Sequence, residues 1–303
     1  MKLPTVAVFL ALAASAHAAW FTNSFSADAF VRASAPTLNY GGAGALSVSG
    51  TNAVNGLGAT NGAFDSFFRV NSAAMVSNFD STFGTNNWVI NGARLHVTEL
   101  GAPANTVFNR GVGAFEIRWI ANDMWVEGTG TPNAPTMDGI DYITELTLLN
   151  SSTDLSLGTF TNAGVDGALS FWLTLPPPFV SDLAAGGEVG YYLTAMDPGI
   201  GFTFDSRSFQ VASGRPALEV SAIPKPGIAS LHFAGADVVL ACTNGTAGEA
   251  YCALSTTNAA LALNQWTALA TNFPPIGGEF TITLTNAAIP PAPAGQYFML
   301  RTQ

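Results

Sequence analysis

Charge is what this chain has least of. Asp, Glu, Lys and Arg make up 10% of its 303 residues, against 48% hydrophobic residues. Lysine is nearly missing: of 10 basic residues only Lys2 and Lys225 are lysines, while 20 residues are acidic. So little positive charge excludes nucleic acid and an anionic membrane surface as partners. Cysteine is limited to Cys242 and Cys252, and histidine to His17, His96 and His232. Two cysteines without a neighbouring histidine make no ordinary zinc site. There is no Gly-x-Ser-x-Gly, His-Glu-x-x-His or Cys-x-x-Cys, so serine hydrolases, zinc proteases and thioredoxin-type enzymes lose their signatures. Beyond the N-terminus no apolar run reaches the roughly 18 residues of a membrane span, so the chain is expected not to span a membrane.

What is abundant is turn chemistry. The 31 Gly and 17 Pro, with many Asn, Thr and Ser, predict short strands joined by turns, in a chain long enough for one large or two ordinary domains. The start has a different cause. Lys2, the apolar stretch 6–14 and Ala16-His17-Ala18 read as a signal peptide at 1–18, which predicts export to the extracellular space or cell surface. From Ala19 onward, 9 basic against 20 acidic residues give a net charge of −11. That balance disfavours polyanions such as alginate as ligands, unless the arginines cluster.

Alternating apolar and polar residues place strands at 27–32, 45–49, 66–71, 88–90, 93–99 and 114–120, then at 170–175, 189–196, 202–207 and 215–220. In 93–99 the pattern turns Ala93, Leu95 and Val97 inward and Arg94, His96 and Thr98 outward. Residues 141–150 read equally as a strand or one short helix, 179–185 as a short helix, and 128–139 as a long Gly-Thr-Pro loop. Ile223-Pro224-Lys225-Pro226-Gly227 is a compact linker between domains. Beyond it, strands are expected at 236–242, 250–255, 268–271, 278–284 and 296–301.

Asp28-Ala29-Phe30-Val31 followed by Pro36-Thr37-Leu38-Asn39-Tyr40-Gly41-Gly42 resembles the start of DNRLRE-domain proteins. The likeness continues in Arg69 within Ser66-Phe67-Phe68-Arg69-Val70-Asn71, in Trp125-Val126-Glu127-Gly128, and in Arg215-Pro216-Ala217-Leu218-Glu219-Val220. It implies a secreted all-β protein with a jelly-roll-like β-sandwich at 19–222, related to carbohydrate-binding modules for alginate-type polysaccharides. Residues 228–303 resemble the small C-terminal β module common in secreted proteins of environmental bacteria, through Ser255-Thr256-Thr257-Asn258, Leu263-Asn264-Gln265-Trp266-Thr267 and Tyr297-x-x-Leu300-Arg301. A small β-sandwich-like module is therefore expected there.

The resemblance implies a non-catalytic polysaccharide-binding protein; the alternative is a structural or cell-surface protein serving adhesion or assembly. Sugar binding needs exposed rings with polar neighbours. Tyr40 and Trp125 lie near loops, with Arg69 and Glu127 as polar neighbours, and these four form the expected ligand-binding set. Trp119, alternating with Phe115 and Ile117, reads as core. Structural calcium has candidate ligands in Asp28 and in the Asp138–Asp141 loop. Asp123 with Glu127, or Asp138 with Asp141, are the acid pairs left for glycosidase chemistry. Arg207 and Arg215 are candidate partners of Asp28 or Asp205. Cys242 and Cys252, flanking one predicted turn in an exported chain, suggest a structural disulfide.

Overall fold

The computed structural model describes residues 18–55, 57–100, 112–275, 278–285 and 297–302. Except for Ala18, the expected signal peptide lies outside them. The protein is all-β and divides into two compact units. One holds Ala19–Asn86 and Ile90–Ala222; the other is built on Ile223–Gln303 together with Asn87–Val89. No helix among the described residues is long and apolar enough to cross a membrane.

In the first unit ten strands join one sheet: β1 (Ala19–Arg32), β2 (Ala45–Ser49), β3 (Phe64–Asn71), β4 (Trp88–Glu99), β5 (Gly113–Ile120), β6 (Leu155–Asn162), β7 (Gly167–Trp172), β8 (Glu188–Ala195), β9 (Gly201–Asp205) and β10 (Ala217–Pro224). Their order is β1-β10-β4-β9-β2-β3-β8-β5-β6, with β7 paired to β4. The sheet closes on itself through β1, which pairs with β10 along residues 19–24 and with β3 along 25–32. A register shift between Phe25 and Ala27 lets one strand turn from one partner to the other.

An aromatic core fills the space between facing parts of this sheet. Phe115 of β5 meets Phe171 of β7 at 5.2 Å and Phe204 of β9 at 5.9 Å between ring centroids, and neither strand is its ladder neighbour. Phe25, Phe68 and Tyr191 stack in sequence at 4.2 and 4.5 Å. Each such buried ring contributes on the order of 2–3 kcal/mol. The other face of β3 and β8 carries Phe67 and Tyr192, and the 121–150 excursion covers it with Trp125, Ile140 and Leu148.

Among the described residues three α-helices interrupt the strands: α1 (Ala73–Phe83), α2 (Tyr142–Leu148) and α3 (Pro177–Ala185). The pattern at 141–150 is thus resolved as a helix, because the Asp141 carboxylate accepts from Thr144 N at 2.7 Å and caps its first turn. Helix α3 matches the expected helix at 179–185. Helix α1 is unanticipated: only Met75 and Phe79 are buried, and its other apolar residues, Ala73, Ala74, Val76 and Phe83, set up no clear buried stripe.

The second unit is a small sandwich of two three-stranded sheets. One is β11 (Gly227–Ala234), β12 (Asp237–Thr243) and β15 (Phe280–Leu284); the other is β14 (Thr267–Asn272), β13 (Tyr251–Thr256) and β16 (Tyr297–Thr302). Val238, Leu240 and Cys242 pack with Tyr251, Ala253, Phe280 and Ile282 between them. The expected linker shrinks to Lys225 and Pro226, because β10 runs through Pro224 and β11 begins at Gly227.

The expected disulfide is corrected here: Cys242 and Cys252 are both free and buried. Their strands do not form a hairpin. Strand β12 pairs with β11 and β15, whereas β13 pairs with β14 and β16, so residues 244–250 carry the chain from one sheet to the other. Cys242 sits opposite Ile228 and Phe280; Cys252 sits opposite Thr271 and Arg301. Burial pushes the Cys242 thiol up to about 11, which keeps it protonated and unreactive.

Candidate functional site

Asn39 ties the turn after β1 to the 127–140 loop. Its Nδ2 donates to Glu127 O at 2.7 Å and to Ile140 O at 2.8 Å, while its Oδ1 accepts from Gly41 N at 3.0 Å and Gly130 N at 3.2 Å. Main-chain bonds from Asn39 N to Thr136 O and from Gly42 N to Gly130 O, both 2.8 Å, complete the interlock. Glycine is required because the two backbones nearly touch. A Cβ on Gly41 would lie 2.0 Å from Glu127 O, and one on Gly130 1.9 Å from Asn39 O. The Asn-Tyr-Gly-Gly and Glu-Gly-x-Gly stretches therefore serve each other, and this is architecture.

That interlock buries the ring surfaces expected to meet a sugar. Tyr40 is 1% exposed and stacks on Phe30 at 4.7 Å; Trp125 is 4% exposed and packs on Phe67. Neither offers a stacking face, which corrects the sequence expectation. Arg69 lies over the Trp125 ring at 4.7 Å and donates to Asp123 O at 2.8 Å. Glu127 is held by Arg207, whose Nε donates to Oε1 at 2.8 Å and whose Nη2 reaches Oε2. These four residues stabilise the loop rather than line an open surface.

The carboxylates expected to hold calcium are also engaged. Asp28 is buried and accepts from Arg207 N at 2.6 Å through Oδ2. Burial is the main reason that its carboxyl rises to about 7, with the nearby Glu127 charge adding to it. Asp138 accepts from the Thr136 hydroxyl and from the Thr129 hydroxyl and amide, and these bonds lower it to about 2. Asp141 caps α2. Members of both acid pairs considered for catalysis are engaged elsewhere: Glu127 by Arg207, and Asp138 and Asp141 by threonines. Among the described residues no three His, Cys, Asp or Glu side chains gather as a metal-ligand group. Arg215 turns to Phe209 O at 2.8 Å instead of to a carboxylate.

An open aromatic surface lies elsewhere, on the outer face of β1, β10, β4 and β7. Antiparallel pairing sets Trp172 opposite Arg94, Ser170 opposite His96, and Trp20 opposite Ser221. Trp20 is 48% and Trp172 54% exposed, their centroids 6.0 Å apart with planes at 68°. The Arg94 guanidinium lies 5.0 Å from the Trp172 ring and 6.0 Å from Trp20. It is fixed by Glu219, which accepts from Arg94 Nε at 3.0 Å and also from Nη2. His96 meets the same Glu219 oxygen at 3.2 Å and the Ser170 hydroxyl at 2.8 Å. Partial burial works against the Glu219 charge, but Arg94 and then His96 hold its carboxyl below the usual range.

The Ser170–His96–Glu219 row has the contacts of a hydrolytic triad. Its setting differs, because Glu219 is committed to Arg94 and the row is a cross-strand ladder on the flat side of a sheet. Such a row rigidifies the surface on which the tryptophans stand. Sequence reading turned Arg94 and His96 outward but did not single out Trp20 or Trp172; the outward phase of β4 was the available signal.

No family model matches the chain, and no curated protein matches it. Among solved structures, a Macrobrachium rosenbergii nodavirus structure aligns over 100% of this chain and 90% of its own at 11% identity, with a TM-score of 0.24. A β-glucuronidase from Ruminococcus gnavus aligns over 74% of this chain at 9% identity, with a TM-score of 0.17; the chain spans 30% of its length. Similarity at this level specifies neither fold nor function.

Proposed function

We propose that this is an exported, non-catalytic polysaccharide-binding protein whose ligand lies across the outer face of β1, β10, β4 and β7. The observation that carries the reading is the half-exposed Trp20–Trp172 pair bracketing Arg94. Indole rings stack on the apolar faces of sugars, and the fixed guanidinium, imidazole and hydroxyl beside them suit sugar hydroxyls. The resemblance to DNRLRE-domain proteins supports the same class, with the site moved from the loop to the sheet.

The ligand is a neutral polysaccharide. The chain from Ala19 onward carries −11, and Arg94, Arg118 and Arg207 are each already paired with a glutamate. Electrophoresis of the mature chain through native gels containing neutral or acidic polysaccharides tests the reading. Retardation by a neutral glycan is expected, lost in Trp172→Ala and in Trp20→Ala. It should persist in Trp125→Phe, which alters a buried ring whose Nε1 has no partner. No retardation on any glycan, or retardation indifferent to both surface tryptophans, overturns it.

A second reading, assembly between copies, is favoured by one observation on the second unit. Edge strand β11 leaves Leu231 and Phe233 exposed, the latter by 63%. Light scattering on the purified chain separates the two: a monomer rules assembly out, and a stable oligomer without glycan binding favours it.

A further inference from the structure

A second polar centre lies between β3, β8 and α2. Asp65 and Glu145, 6% and 4% exposed, line a cavity of about 390 Å³ together with Tyr142, Tyr192 and Thr194. The two carboxyls are close enough to hydrogen-bond each other. Tyr192 donates to Glu145 Oε1 at 2.8 Å, and Thr194 to Asp65. Glu145 Oε2 is buried and receives no donor. None of the residues lining the cavity is Lys, Arg or His. In the same unit Glu127 is paired with Arg207, and Glu219 with Arg94.

Two adjoining buried carboxyls without a counter-ion cannot both ionise unless something positive enters. Burial, then their mutual repulsion, raises Glu145; burial raises Asp65. With nothing bound, one proton is shared between them. The cavity beside them has room for a hydrated ion. A hard cation would take oxygen ligands from both carboxylates, from the Thr194 and Tyr192 hydroxyls and from water, a set that suits the irregular coordination of calcium better than the strict octahedron of magnesium.

We propose that Asp65 and Glu145 form a binding site for one divalent cation of the calcium class. On binding, the cation joins both carboxylates and the shared proton leaves to solvent, so uptake releases about one proton per ion. The groups facing that proton are Asp65 on β3, Tyr192 on β8, and Glu145 and Tyr142 on α2. The site does not depend on the polysaccharide reading and uses none of its residues.

Calorimetric titration of chelator-treated protein with calcium chloride, near pH 6.5 in two buffers of different ionisation heat, tests the assignment. Saturable binding is expected, with a buffer-dependent heat equal to release of about one proton. Glu145→Gln should weaken it by more than about tenfold, since it removes one ligand charge. That variant should melt no lower than the wild type without calcium, because a neutral amide needs no shared proton. Absence of binding, binding without proton release, or binding unchanged in both Glu145→Gln and Asp65→Asn overturns the proposal.

Discussion

The interlock around Asn39 and the outer face around Trp20 and Trp172 use similar side chains in opposite ways. At the interlock each polar group of the Asn39 side chain is spent inward on another loop. On the outer face Arg94, His96, Ser170 and Glu219 hold one another in a row, and the rings beside them stay open to solvent. The motif-rich stretch turns out to be the fastening, and an unremarkable set of outward strand positions turns out to be the surface. The two regions should therefore fail differently: damage to the first costs stability, and damage to the second costs binding.

The largest expected effect is from Asn39→Ala. It strands the Glu127 and Ile140 carbonyls and the Gly41 and Gly130 amides, and should destabilise the unit by about 3 kcal/mol or more, read by denaturant unfolding. Gly130→Ala comes next, at about 2–4 kcal/mol, because its Cβ would meet Asn39 O at 1.9 Å and the backbone must move. Equal stability of either variant and wild type would dissolve the contrast.

Dependence on pH is a smaller lever. Asp28, pushed to about 7 mainly by burial, keeps its proton in the folded state across a window where the unfolded chain has lost it. Raising pH from about 4 toward about 7 then favours unfolding through this group, opposite in sign to a salt-bridged aspartate. Thermal melts of wild type and Asp28→Asn should converge at acid pH. As pH rises, the variant should become the more stable of the two. The smallest effect on stability belongs to Trp172→Ala, within about 1 kcal/mol because the ring is half-exposed, yet this change should abolish glycan retardation.

Much of the sheet was readable from local pattern. The strand at 45–49 coincides with β2, and the inward set Ala93, Leu95 and Val97 is buried while Arg94 and His96 are only partly so. What failed was whatever depends on distant partners. Strands β6 and β11 were missed, and the Cys242 and Cys252 strands were expected to pair because they are neighbours in sequence. Trp172 hid within Ser170-Phe171-Trp172-Leu173, where Phe171 and Leu173 are buried and three apolar residues in a row mask the alternation. The Asn39 motif was visible, but its role depends on the 127–140 loop, about ninety residues away. Nothing local relates Asp65 to Glu145, and only the packing of α2 over β3 and β8 brings them together.

The most direct test of the central claim is solute quenching of tryptophan fluorescence with and without the retarding glycan. Of the six tryptophans, Trp20 and Trp172 are half-exposed and Trp266 is partly exposed, whereas Trp88, Trp119 and Trp125 are buried. Saturating glycan should shield Trp20 and Trp172 while leaving Trp266 quenchable, and the double variant Trp20→Phe/Trp172→Phe should lose the shielding. Glycan binding that leaves quenching of the wild type unchanged would place the ligand elsewhere and contradict the account.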